Sequence, residues 1–170
     1  MKINILFLCI VLLFGCDKSV PPPPEVQKQL FTESADIDVG KKIVEAYQNA
    51  DWETYPKFYA DDARVWRNKD WTSEEGMTLS EYLEDLKMGL SSVGEYQFTS
   101  STWVGVVTDE GEHWVFFWGV WEGVNTITAK NYVIPVQISM HIVNGKINRQ
   151  VDFYNNAEIA LDLKEVSDRD

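Results

Sequence analysis

The acid–base chemistry open to this chain centres on one carboxylate near its C-terminal end. Asp152 lies in the run Lys146–Tyr154, which follows Asn144-Gly145, and Asn-Gly between two apolar-rich stretches is a strong type I′ hairpin signal. An unbulged hairpin on that turn sets Val143 opposite Lys146, and places Gln137 against Asp152, Ser139 against Gln150 and His141 against Asn148 on one face, with Pro135 and Tyr154 at its far end. If this face is enclosed, Asp152 is a carboxylate with amide and hydroxyl neighbours, and were it to act as a general base His141 would be the nearest candidate acid. The same polar ladder could equally face water, the ordinary reason for alternation in an antiparallel sheet. On the opposite face Met140 meets Arg149, Ile138 meets Val151 and Val136 meets Phe153, an apolar surface that predicts a homodimer.

Cysteine offers a different chemistry. After the single cation Lys2, an apolar run from Ile5 to Phe14 leads to Gly15 and Cys16. The run is far shorter than the roughly 20 residues of a membrane span and has the length of a secretory signal. Leu13-Phe14-Gly15-Cys16 resembles the bacterial lipobox, which implies cleavage before Cys16 and lipid on its thiol. The protein is then expected in the cell envelope, anchored to a membrane and facing away from the cytoplasm. Cys9 would leave with the signal, so a single cysteine remains and no internal disulfide can form. The expected division is signal peptide 1–15, lipidated cysteine and tether 16–34, folded domain 35–163 and polar tail 164–170, with Pro21 to Pro24 stiffening the tether as polyproline II.

Other chemistries find little support. His113 and His141 have no second ligand at i+2 or i+4, so no metal is predicted, and the absence of a Gly-rich phosphate loop or a Gly-x-Ser-x-Gly elbow leaves no expected cofactor. Glu74, Glu75, Glu81, Glu84 and Asp85 read as a solvated acidic face near a helix start. The formal net charge is −12, and loss of Lys2 with the signal makes it −13. That excess of acid argues against nucleic acid or an anionic membrane surface as a partner. Trp114, Phe116 and Trp118 share one strand face and Phe117 and Trp121 the other, which suggests core plus subunit interface, with a carbohydrate-stacking platform as the alternative.

The elements that would position these groups are legible. Val39, Ile43, Ala46, Tyr47 and Ala50 form one helical stripe from Asp38, and a short second helix carries Tyr55, Phe58 and Tyr59, entered near Pro56. A third helix starts at Thr78 with Glu81 in capping-box spacing, lined by Leu79, Leu83, Leu86 and Leu90. Ala63 to Trp66 reads as a short strand, followed by Tyr96–Val107, His113–Glu122, Thr126–Val143 and Lys146–Tyr154, with Gly123 as one of the turn signals. The expected class is α+β, with about three helices packed on one face of a curved antiparallel sheet.

Asp51-Trp52-Glu53, then Phe58-Tyr59-Ala60-Asp61-Asp62-Ala63-Arg64-Val65, with the ending Val143-Asn144-Gly145-Lys146-Ile147 and Asp152, resembles the nuclear transport factor 2-like superfamily over Asp38 to Ile159. That superfamily includes SnoaL-type cyclases and ketosteroid isomerases, and the resemblance implies a cone-shaped sheet with the helices on its concave face. The isomerase's catalytic tyrosine falls on Ile43, its base aspartate on Arg67 and its oxyanion-stabilising acid at or beside Ser139, so isomerase activity is not expected; arginine stays protonated and cannot abstract a proton. The cyclases' carboxylate on the last strand corresponds to Asp152, although the usual Glu-His-Trp run before it reads Arg149-Gln150-Val151.

The candidate catalytic pair is therefore Asp152 with His141. Tyr47, Tyr59 and Trp66, with Gln137, Ser139, Gln150 and Tyr154, make up the candidate ligand-binding set. Three functions follow from the fold implied: a lipid-anchored domain binding a small, partly apolar ligand in the cone; a SnoaL-like acid–base enzyme of cyclase, isomerase or dehydratase type using Asp152; or an accessory domain whose pocket is filled by its own aromatics.

Overall fold

A computed structural model describes residues 29–73 and 75–167. Cys16, with the expected signal peptide and most of the expected tether, lies outside these residues. Helix α1 (Ala35–Gln48) is capped by Ser34, whose Oγ accepts from Ile37 N at 3.2 Å, and buries Ile37, Ile43 and Ala46. A single 3₁₀ turn (Tyr55–Phe58) with Pro56 in its first turn replaces the expected second helix. Helix α2 (Leu79–Leu90) carries a capping box: Glu81 N donates to Thr78 Oγ1 at 3.3 Å, and Thr78 N donates to Glu81 Oε2 at 2.7 Å.

The strands are β1 (Gln29–Phe31), β2 (Tyr59–Arg67), β3 (Met77–Thr78), β4 (Val93–Val107), β5 (His113–Asn125), β6 (Asn131–Val143) and β7 (Lys146–Tyr154). They form one sheet in the order β1-β4-β5-β6-β7-β2-β3. All neighbours are antiparallel except β2 and β7, which are far apart in sequence and so free of the hairpin constraint that imposes antiparallel pairing. Helices α1 and α2 cover the concave face, over a core built from Ile37, Ile43, Tyr55, Tyr59, Val65, Tyr82, Phe117, Met140 and Ile147. Among the described residues no helix is long and apolar enough to cross a membrane.

The structure moves several expected boundaries. Residues 29–31, placed in the tether, form β1 on the edge of β4, where Phe31 packs over Gly105. Residues 164–167, placed in the tail, belong to helix α3 (Ala157–Ser167). Gly123 is no turn but a buried position of β5, where a Cβ would meet the Trp121 ring at 2.4 Å. The real turn follows Asn125, whose Oδ1 accepts from Ile127 N at 2.8 Å and Thr128 N at 2.9 Å, with Ala129 at φ 57°.

One change of register matters most. Val143 pairs with Lys146 and Ile142 with Ile147, but a bulge at residue 148 then sets His141 against Arg149, Met140 against Gln150, Ser139 against Val151 and Ile138 against Asp152. The extra residue exchanges the partners assigned to every β6 position beyond it, since side chains alternate with a period of two.

Candidate functional site

The bulge gives the concave face of the last hairpin a mixed character. Val136, Ile138 and Met140 come from β6, while Gln150, Asp152 and Tyr154 come from β7. These six join Ile43, Val44 and Tyr47 of α1 and Tyr82, Asp85 and Leu86 of α2 around a cavity of about 340 Å³. Phe98, Trp121 and Ile134 complete an apolar wall, and Met88 to Leu90, Asn156 and Ile159 also line it. A volume in this range suits a small ligand with apolar surface and a few oriented polar contacts.

Asp152 sits in that wall, 2 % exposed, at the focus of a directed hydrogen-bond network. Tyr82 OH donates to Asp152 Oδ2 at 2.7 Å. Gln150 Nε2 donates to Asp152 Oδ1 at 2.8 Å and to Tyr82 Oη at 3.0 Å. Gln150 Oε1 accepts from Tyr59 OH at 2.6 Å, and the Tyr55 hydroxyl lies 3.2 Å from that of Tyr59. Burial pushes the Asp152 carboxyl above the usual carboxylate range, opposed by hydrogen bonds from Tyr82 and Gln150 and by the Arg67 charge. Burial likewise raises Tyr55, Tyr59 and Tyr82, and Tyr154 is pushed up to about 12, so all four phenols stay protonated as donors near neutrality.

Arg67 stands beside this acid, paired with it in the β2–β7 register. Its guanidinium lies over the Tyr82 ring at 5.1 Å and the Tyr154 ring at 5.5 Å and forms an ion pair with Asp85. The position that aligns with the isomerase base thus holds a cation within the cone, and Ile43, aligned with that enzyme's tyrosine, contributes only an apolar surface to the same cavity.

The structure brings Tyr47, Gln150, Asp152 and Tyr154 to the cavity and buries Tyr59 behind it as a donor to Gln150. It corrects four other expectations. Gln137, Ser139 and His141 lie on the convex face, carried there by the bulge, and Gln137 Nε2 donates to Ser139 Oγ at 2.8 Å. His141 interacts with Arg149 and packs on Trp114 with ring centroids 5.0 Å apart, so it cannot serve as the acid partner of Asp152 across the sheet. Burial and the Arg149 charge lower its pKa. Trp66 is also convex, paired with Val151, and its Nε1 donates to Ser73 O at 3.1 Å. Tyr55, Arg67, Tyr82, Asp85 and Trp121 were missing from the expected site. Tyr82 carries a readable signal, a polar-tipped aromatic within the leucine stripe of α2, and Arg67 is marked only as the position aligned with the isomerase base; nothing local marks Tyr55, Asp85 or Trp121 as site residues.

Among the solved structures that share this architecture are three with the following likeness. A candidate polyketide cyclase from Xanthomonas campestris pv. campestris is 21% identical, with 73% of this chain and 93% of that chain covered at a TM-score of 0.58. IdmH from Streptomyces antibioticus, a candidate polyketide cyclase, is 16% identical, with 76% and 98% covered at 0.60. The chain has the nuclear transport factor 2-like fold. AclR from Streptomyces galilaeus, a candidate hydroxylase, is 12% identical, with 76% and 96% covered at 0.57. No protein-family profile matches the chain, and no curated protein matches it in sequence.

Proposed function

We propose that this chain is a lipid-anchored, extracytoplasmic domain that takes a small, partly apolar ligand into its cone. The observation that carries this reading is the cavity itself: about 340 Å³, walled mainly by aliphatic and aromatic side chains, with a buried carboxylate and its donors on one side. A tryptophan, Trp121, contributes to the wall without filling the space, which favours this reading over an accessory domain with an occupied pocket. The lipobox-like segment ending at Cys16 supports the anchor.

A second reading, acid–base catalysis on that ligand, is favoured by one specific feature. Asp152 is held in an apolar wall with its affinity for protons raised by burial, and a general base works best when its pKa approaches the operating pH. It would accept a proton from an acidic carbon of the ligand, and Tyr82, whose hydroxyl already contacts Asp152 Oδ2 at 2.7 Å, would steady the charge. Mass spectrometry of small molecules co-purifying with the mature chain tests the binding reading. A pocket-filling Ile138→Trp variant with unchanged circular dichroism should lose them; retention of the same molecules would sink the cone as the site.

A further inference from the structure

We infer that the ligand of this cone carries a carboxylate or an equivalent planar pair of acidic oxygens, and that Arg67 receives it. The inference rests on the ligand-binding reading above and assigns the chemistry of one end of the ligand.

Arg67 is the one cation among the described residues lining the cavity, and its side chain is only 17% exposed. Its guanidinium is used unevenly. Nη1 faces Asp85, whereas Nε and Nη2 are buried and form no hydrogen bond. Those two nitrogens make up one edge of the guanidinium, with parallel N–H groups whose spacing matches the two oxygens of a carboxylate. A buried donor without an acceptor is unfavourable, and here two such donors point along the same edge. The neighbouring acceptors do not meet that need. Asp152 takes its hydrogen bonds from Tyr82 and Gln150, and Tyr82 Oη is engaged with both of those residues.

The ion pair with Asp85 is an exchangeable closure. Asp85 is 36% exposed on α2, so it returns to water at little cost when another anion takes its place. Tyr82 and Tyr154 flank the guanidinium with their rings, and an acid in the cavity reaches the buried Nε–Nη2 edge by drawing the side chain away from Asp85. A neutral carbonyl would satisfy only one of the two free N–H groups. An amine would meet a cation. Beyond Arg67 the walls offered by Leu86, Phe98, Ile134, Ile138 and Met140 are apolar, so the rest of the ligand is hydrocarbon in character. The overall negative charge of the chain does not forbid this, because exposed charges beyond about 8 Å are largely screened at physiological ionic strength.

The test is calorimetric, with 2-naphthylacetate and its neutral isostere 2-naphthylacetamide titrated into the chain from Asp17 onward, which keeps every described element. The parent protein should bind the acid at least about tenfold more tightly than the amide, as expected for a charge-assisted contact over a neutral one. Arg67→Met should abolish the preference, so that acid and amide bind alike. Asp85→Asn, which keeps the arginine and removes its competitor, should raise the acid-to-amide ratio severalfold, and it answers the question even if Arg67→Met fails to fold. Equal binding of acid and amide by the parent, or an unchanged acid-to-amide ratio in Asp85→Asn, overturns the assignment of Arg67 while leaving the pocket intact. Failure of both probes to bind would instead overturn the ligand-binding reading on which it rests.

Discussion

Replacing Tyr82 with Phe isolates the polar network from the packing around it. The ring is 3 % exposed and phenylalanine keeps its contacts, including the stacking of Arg67, so the change amounts to loss of one hydroxyl. That hydroxyl donates to Asp152 Oδ2 at 2.7 Å and accepts from Gln150 Nε2 at 3.0 Å. Removing a donor to a buried carboxylate costs about 2–3 kcal/mol when the acid is ionised, and about 1 kcal/mol when it is neutral. The cost must therefore depend on pH. Burial raises the Asp152 pKa in the folded state, so its contribution to stability is fully present below the unfolded-state pKa and declines as pH rises through the folded-state value. Loss of Tyr82 raises the folded pKa further. The gap in stability between parent and Tyr82→Phe should accordingly be smallest in acid and widen as pH climbs through the titration of Asp152. Guanidinium chloride unfolding at a series of pH values measures the gap, and carbon-detected NMR of the Asp152 carboxyl measures its pKa. A constant gap across pH, or an Asp152 pKa identical in the two proteins, would refute the account of a buried acid held by Tyr82.

Other consequences follow from sequence and fold. Gly40→Ala should destabilise by about 1 kcal/mol in urea unfolding: the gain in helix propensity is about 1 kcal/mol, but a Cβ at 2.6 Å from the Trp103 ring forces an overpacking cost of about 2 kcal/mol. A stabilised variant would mean that Trp103 yields freely. The apolar face from which a homodimer was expected is split, with Val136, Ile138 and Met140 lining the cavity and Val151 buried; we propose instead that the convex face of the sheet, with Trp118 44% and Phe153 46% exposed, pairs two copies of the chain. Sedimentation should find a dimer at tens of micromolar that Trp118→Glu dissociates; a monomeric parent would remove the idea. Cys16→Ala should leave unlipidated precursor, and equal incorporation of labelled fatty acid into parent and variant would argue against the anchor.

Local chemistry was enough to locate much of this fold. The capping box at Thr78 and the Asn144-Gly145 turn each act over a few residues and recur where the sequence places them, whereas the α1 stripe keeps Ile43 and Ala46 buried but adds Ile37 and leaves Ala50 exposed beyond the helix end. Asp152 was legible as a candidate for the same reason, a carboxylate close to a well-defined turn. The register beyond that turn was not legible. An alternation reading groups Val136, Ile138, Val151 and Phe153 as one apolar face and Gln137, Ser139, Gln150 and Asp152 as one polar face, whereas the bulge splits both sets. Such a bulge places Gln150 and Asp152 in the interior, a costly position for polar groups unless partners meet them there. Those partners, Tyr59 and Tyr82, lie 91 and 70 residues away from the groups they serve. No short window of sequence can register that compensation, so the identity of the pocket face, and with it the removal of His141 from the site and the entry of Arg67, depended on contacts that exist only once α2, β2 and β7 have come together.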